Sequence, residues 1–540
     1  MTKRYQVLIV GGGPVGMALA VDLGLRGVSC ALVERHTTPQ RIPKGQSLTQ
    51  RTLEHFYFWG IADELRAARL LPPGYPIGSV TAYGNLLGDF WFGPDTRERL
   101  VDQYFQKNER LPQYLTEEVL RRQASRLPNV ECLFGRTATR IEQDDLGVRA
   151  TVSDDAWPYA DRILEADFLV GCDGARSVVR EQLGIDRGGA DFDQRMVLAV
   201  FRSRELHEGL GRFPECTTYR VLRPELRGYW QFFGRVDVGE GWFFHAPVPR
   251  DTRPDNYDFL GLLHQAAGFE FAAESEYVGF WDLRIAVASR YRVGRAFIAG
   301  DACHSHPPYG GFGLNSGLED VANLGWKLAA VLQGWGGDAL LDSYGQERRP
   351  IFVETGEAMI AGGIERDRAF LDRFSPERDR PEFERAWHEL GLTSMQRRQS
   401  YEPHYEGSPV VMGPPDATCS IHGKHSPVAN AGHHLAPAPL SSGRNVFEEL
   451  SRGYTLLVFD ADPQAVRALQ DAASSLQVPL KVVRDSYADA RNQYGSRMIL
   501  VRPDQYVTWS GNALPADPVD LLRTATGRAS GRFSVGAATN

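Results

Sequence analysis

The chain has 540 residues, 42% of them hydrophobic and 24% charged, enough apolar material for two to four domains at roughly 100–200 residues each. Its net charge of −8 speaks against a nucleic-acid surface and offers no basic patch for a membrane. The six cysteines (30, 132, 172, 216, 303 and 419) form no CxxC pair and no metal-ligand spacing, which fits a reducing, cytoplasmic setting, and no apolar run reaches the length of a membrane span.

The first element is the run QVLIV, short, continuous and β-branched, which reads as a buried parallel strand. GGGPVG follows, with Gly11, Gly13 and Gly16 in GxGxxG spacing. The first glycine permits a tight turn, the second lets a pyrophosphate approach the backbone, and the third lets the next helix pack close to the strand. Pro14 and Val15 open that helix, whose N-terminal N–H groups attract an anion. A second strand, SCALVE, ends at Glu34, placed to hydrogen-bond a ribose hydroxyl. The three glycines and the proline interrupt the apolar region that a leader peptide needs, so a nucleotide cradle is expected here. The motif alone leaves NAD and FAD both open.

Further along, FLVGCDGARSVVR (168–180) runs from a strand into Asp173, which either serves a nucleotide or caps the turn. At 295–320, the strand AFIAG ends at Gly300 and delivers Asp301 to the sheet's C-terminal edge, where ligands bind in open α/β sheets. Pro307 and Pro308 then force an extended turn. Gly310, Gly311 and Gly313 remove side chains where something flat can lie on backbone, and Asn315 and Ser316 suit a helix start. His304 and His306 have no accompanying ligand cluster in sequence, so no metal is expected.

Residues 216–249 read as short alternating strands of an antiparallel sheet, dense in aromatic residues. Among them, Gln231 and His245 are the polar groups that suggest a pocket. Charged amphipathic helices follow over 350–400, then a Pro/Gly/Ser-rich boundary. The tail reads strand, helix, strand, hairpin, helix, with no dithiol to support redox chemistry.

Taken together, the cradle, GCDGARSVVR and GDACHSHPPYGGFGLNSGLEDVANLGWKL resemble the single-component FAD-dependent aromatic hydroxylases related to p-hydroxybenzoate hydroxylase. GQSLTQRTLE and LPQYLTEEVL add to the likeness, which is greatest to the phenol hydroxylase and 3-(3-hydroxyphenyl)propionate hydroxylase branch. The resemblance implies an α/β fold: a Rossmann-type FAD-binding domain (1–180, returning with a helical segment over 286–400), an inserted antiparallel-sheet substrate domain (181–285), and a thioredoxin-like C-terminal domain (406–540). It implies non-covalent FAD held by Gly11, Gly13, Pro14, Val15, Gly16, Glu34, Arg35, Gln46, Arg51, Gln113, Asp173, Gly300, Asp301, Pro308, Gly311, Gly313, Leu314 and Asn315. The expected reaction is NAD(P)H-dependent hydroxylation of a small phenolic substrate with O2 through a flavin C4a-hydroperoxide, in aromatic catabolism. The nicotinamide is expected to use a shared or transient site, because the sequence carries no second strand–GxGxxG–helix unit. Pro308 and Gly313 are expected beside the reacting ring, His245 as a base, and Tyr219, Tyr229 and Gln231 on the substrate. A homodimer is one option for assembly. The alternatives are an epoxidase or reductase on the same fold, or a non-catalytic flavin-bearing interaction protein.

Overall fold

The computed structural model describes residues 4–93, 96–154 and 157–528, so residues 529–540 of the expected tail domain lie outside the described residues. The strand Arg4–Val10 lies between two parallel neighbours, Cys30–Glu34 and Trp157–Gly171. Val130–Phe134 and Ala296–Ile298 extend the parallel sheet on either side. Val7, Leu8 and Ile9 are fully buried, as expected for a strand covered on both faces. Two helices provide much of that cover. Pro14–Leu25 follows the glycine turn, and Phe312–Leu332 is buried from Asn315 through Ala330.

A second sheet has eight strands in the order His304–Ser305, Glu274–Ala288, Arg187–Arg202, Gly241–Val248, Gln231–Arg235, Thr218–Leu222, Ser79–Tyr83, Phe90–Gly93. All its pairings are antiparallel except that between Thr218–Leu222 and Ser79–Tyr83. The sheet therefore exceeds the expected 181–285 insert: two strands come from 79–93 and one from 304–305. A parallel pairing across well over a hundred residues leaves no local turn signal in the sequence. One face of the sheet, carrying Val197, Phe201, Tyr219, Phe233, Trp242 and Phe244, forms a core with the helix Phe259–Ala267. The opposite face carries Met196, Leu198, Phe232 and Phe243. At the far edge, Trp91 packs with Phe383 and Trp387 of the helix Arg380–Gln399.

The C-terminal unit has a four-stranded sheet in the order Leu480–Asp485, Tyr454–Phe459, Met498–Val501, Val507–Gly511. The first two strands are parallel and joined through the helix Pro463–Ser475. The last two form an antiparallel hairpin followed by the helix Pro518–Ala525. This is the thioredoxin-like arrangement. The unit is docked on the rest of the molecule, for Trp326, Ala330 and Trp335 share one core cluster with Tyr454, Leu456 and Leu500. Cys419 is buried beside Ile351, Tyr405 and Tyr506. Among the described residues, no helix is long and apolar enough to cross a membrane.

Candidate active site

At the end of the first strand, Gly11 adopts φ +103°, and a Cβ on Gly16 would fall 1.9 Å from the Gly11 carbonyl oxygen. The turn thus closes tightly only with glycine at both positions. A Cβ on Gly13, in contrast, would meet nothing within 4 Å. Gly13, Pro14 and Val15 border a cavity of about 1570 Å³ that also takes in Gln46, Gln113, Asp301, the backbone from Pro308 to Asn315, and the second sheet's face at Phe232, His245 and Trp281. The long helix Phe312–Leu332 begins at this cavity, and no side chain caps its N-terminus. Tyr309 ties the glycine loop to the sheet: its ring stacks on Trp230 at 4.4 Å and its hydroxyl accepts the Trp230 backbone N–H at 3.0 Å.

The loop opposite is fixed by Asn315. Its Nδ2 donates to the Ser47 and Gly311 carbonyls at 2.8 and 2.7 Å, and its Oδ1 accepts from the Thr49 N–H and the Thr52 hydroxyl at 2.9 and 2.7 Å. Gln46 is therefore held in position, buried, with neither side-chain polar atom paired within the protein.

Over residues 4–357 the chain matches the family described as FAD binding domain, and over 429–532 that described as aromatic-ring hydroxylase, C-terminal. It is 30% identical over 548 residues to a 4-methyl-5-nitrocatechol 5-monooxygenase of Burkholderia sp, covering 96% of both chains. It is 30% identical to the tetracenomycin A2 monooxygenase-dioxygenase of Streptomyces glaucescens, over 99% of this chain and 98% of that one. The structure of a ternary complex of aklavinone-11 hydroxylase with FAD and aklavinone superposes with a TM-score of 0.81 at 26% identity, over 98% of this chain and 100% of that chain. The chain belongs to the FAD-dependent aromatic-ring hydroxylases.

The site of this hydroxylase fits FAD. Open space in front of Gly13, an uncapped helix start and the unpaired Gln46 amide are what a phosphate and a heteroaromatic ring require. Asp301 is exposed to the cavity, and the desolvation by the protein around it raises its pKa. Glu34 accepts the Gly12 and His36 N–H groups at 2.6 and 2.7 Å. Its Cβ and Cγ crowd Gly12, so it braces the glycine turn from the second strand's end.

Several expected residues stand elsewhere. Arg35 is exposed and does not border the cavity. Arg51 borders it, but its guanidinium is committed to Glu54, Glu319, Gln505 and the Asp504 carbonyl, so it joins the C-terminal unit and is not free for phosphates. The Asp173 carboxylate accepts from the Ser177 hydroxyl at 2.5 Å and the Val179 N–H at 3.1 Å. It caps the turn, and the cavity meets Gly174 and Ala175 in its place.

The strand register corrects the substrate-facing set. His245 pairs with Phe232, so Gln231 points to the opposite face, beside Val221. Tyr219 lies on that same far face, its hydroxyl taking the Arg235 guanidinium at 3.0 Å. Tyr229 lies outside the cavity, under Arg368. A charged group that shares the face of His245 and Phe232 is Arg220. It is buried 4.1 Å above the Trp230 ring, with its Nε on the Thr81 hydroxyl at 3.1 Å. Its position between Tyr219 and Val221 in the alternating TYRVL run was the available sequence signal.

His245 sits among Phe232, Phe243 and Trp281, and its Nδ1 accepts from the Trp281 indole N–H at 3.3 Å. Burial pushes its pKa down to about 3, so the imidazole stands neutral and is a weak acceptor for a phenolic proton, which speaks against the expected role of base. His306, overlooked as a site residue, borders the cavity against Gly313 with its Nε2 unpaired, and burial lowers it to about 4. His304 faces away, bonded to Asp320 at 2.6 Å and stacked on Phe352 at 3.9 Å.

Proposed function

We propose that this hydroxylase oxygenates a phenolic ring, using O2 and NAD(P)H. The observation that carries the reading is one continuous cavity joining the glycine turn at Gly13 to the aromatic face at Phe232, His245 and Trp281. Its volume exceeds the roughly 300–1,000 Å³ typical of a single-ligand pocket, as a cofactor and a substrate side by side require. The catechol in one relative's name supports a hydroxylated ring as substrate.

Bound here, FAD supplies the hydride acceptance and oxygen activation. The chain would hold it: Gly11, Gly13 and Gly16 shape the turn, and Pro14, Val15 and the helix start would take the pyrophosphate. Gln46, Gln113 and Asp301, which border the cavity, would take polar atoms between phosphate and ring, and Glu34, bracing the turn behind them, would reach the ribose only with a carboxylate lone pair left over from Gly12 and His36. The backbone of Pro308, Gly311, Gly313, Leu314 and Asn315 would border the flavin ring, with Gly311 and Gly313 adding no side chain there. The rings of Phe232, Phe243, Trp230 and Trp281 exclude water from the reacting space, which limits wasteful loss of activated oxygen. His245, neutral and gripped by Trp281, orients a phenolic hydroxyl through a hydrogen bond without holding its proton.

The test is a panel of mono- and polycyclic phenols added to the flavin-loaded enzyme. Substrate-stimulated NADH or NADPH oxidation should appear, with product mass increased by one oxygen atom. Stimulation by none of the phenols, or stimulation that yields only hydrogen peroxide, defeats the proposal.

A further inference from the structure

We propose that His404, Glu406 and His433 form a binding site for a divalent transition metal of the zinc class. This site would clamp the segment leaving the catalytic unit to the loop that enters the C-terminal unit. One donor atom from each of the three residues lies within 4.8 Å of the others. His433 Nε2 is hydrogen-bonded to Glu406 Oε1 at 3.0 Å, a contact an ion would replace, and His404 Nδ1 is 3.9 Å from Glu406 Oε2. The two imidazoles are stacked, 7° apart in plane with centroids at 4.7 Å, so binding one ion would require the His404 ring to turn about its Cβ–Cγ bond. Donors on a tetrahedral ion with bonds of about 2.0–2.2 Å are roughly 3.4 Å apart, and these separations straddle that value.

Two independent features point to a ligand. His404 is 6% exposed, yet its Nδ1, directed at Glu406, has no hydrogen-bond partner. A buried unpaired nitrogen is costly in the free protein, and a metal ion would remove that cost. Behind His433 stands Glu402, also 6% exposed, with Oε1 3.0 Å from His433 Nδ1. A carboxylate on the far nitrogen is the arrangement that orients a metal-bound imidazole and raises its basicity. Imidazole with carboxylate suits zinc, iron, nickel or copper better than calcium or magnesium.

The backbone fixes the two segments. Tyr405 N–H donates to the Gly432 carbonyl at 2.7 Å, and Val507 N–H donates to the His433 carbonyl at 2.9 Å. Gly432 has φ +88°, and a Cβ there would lie 2.4 Å from the Glu406 nitrogen. Only glycine lets the loop press close enough to bring His433 onto Glu406. Glu406 and His433 keep 28% and 14% side-chain exposure, leaving a water-facing side for an ion to enter and for a fourth ligand. None of the three residues borders the large cavity, so the role is to hold structure and is separate from the oxygenation.

The test uses the untagged, flavin-loaded protein after chelator dialysis. Cobalt(II) titration followed by visible absorption, and zinc uptake by equilibrium dialysis with elemental analysis, should give one tight equivalent. Zinc should raise the melting temperature by several degrees. His404→Gln and His433→Gln should lose the cobalt bands and the thermal shift, and Glu402→Gln should weaken uptake about 10–100-fold. His422→Gln, at an exposed histidine nearby, should behave as wild type. Where a histidine variant fails to fold by circular dichroism, Glu406→Gln at the more exposed ligand gives the same reading. Wild-type protein that takes up no cobalt or zinc overturns the proposal, and so does uptake unchanged in the ligand variants.

Discussion

At the scale of single residues, the glycines of the first turn divide into two kinds. Gly16 is packed against the Gly11 carbonyl, while Gly13 faces open space. Gly13→Val should therefore fold normally and purify without flavin, because the new side chain occupies the phosphate's place. Gly16→Ala should lose stability first, through a clash with backbone. The ratio of flavin to protein absorbance, read beside the melting temperature, separates the two. Full flavin occupancy in Gly13→Val removes the cradle from its assigned role. His245 supports a second prediction. His245→Phe should lower the fraction of NAD(P)H that yields hydroxylated product, while the pH profile of that fraction between 6 and 9 stays that of wild type, since a group lowered to about 3 does not titrate there. Stability should respond as well. An unfolded chain protonates this histidine below its ordinary 6.5 and the native fold does not, so wild type loses stability as pH falls from about 6.5 towards 3. The variant should lose less of its melting temperature between pH 7 and pH 4.5. A coupling ratio that changes shape with pH restores the base that the structure argues against.

At the scale of elements, the glycine loop and the 45–52 loop act as one unit because Asn315 joins them from both its amide nitrogen and its oxygen. Asn315→Asp keeps the two acceptor contacts to Thr49 and Thr52 and leaves the Ser47 and Gly311 carbonyls unpaired beside a charge. At about 1–3 kcal/mol for each buried group left unsatisfied, flavin affinity should drop by more than tenfold while the parallel sheet stays intact. Fluorescence titration of FAD into the apoprotein measures it, and wild-type affinity would place the control of Gln46 elsewhere. This part of the site was legible in sequence, because strand–glycine–helix and strand–Asp–Pro–Gly–helix are local patterns whose geometry follows from the residue types. The second sheet was legible only as alternation. Two faces were evident in 216–249, but which residues share the face of His245 depends on the register of Gln231–Arg235 against Gly241–Val248. A shift of one position exchanges Gln231 for Phe232 and Tyr219 for Arg220. Nor did anything local announce that Ser79–Tyr83 would pair with Thr218–Leu222, since the partner lies far along the chain.

At the scale of the whole molecule, the catalytic and C-terminal units are joined by charge as well as by apolar packing, and that joint was invisible in sequence because its members are scattered from 323 to 504. Arg502 is buried and donates to both Glu347 oxygens at 2.7 and 3.0 Å and to Asp504. Glu347 also accepts from Lys327 at 2.7 Å, Asn323 at 2.6 Å and Ser408 at 2.6 Å. These contacts outweigh burial and hold the Glu347 carboxyl well below its ordinary range, while burial lowers Lys327 to about 8. Arg502→Leu removes the central cation and leaves Glu347 with one ammonium and Asp504 with none from this residue. Breaking one partner from a buried ionic group costs about 3–5 kcal/mol. The predicted result is a melting temperature several degrees lower and earlier proteolytic cutting in 406–430, where the chain crosses between units. Because Arg502 borders neither the glycine turn nor the aromatic face, flavin content and product coupling of the folded fraction should stay at wild-type levels. Arg502→Lys, which retains a charge but not the two-pronged donor, should fall between the two proteins in stability. If Arg502→Leu melts as wild type, the apolar cluster around Trp326 and Tyr454 holds the C-terminal unit unaided. If it folds normally but loses coupling, the C-terminal unit influences the active site through the Arg51 and Gln505 contact.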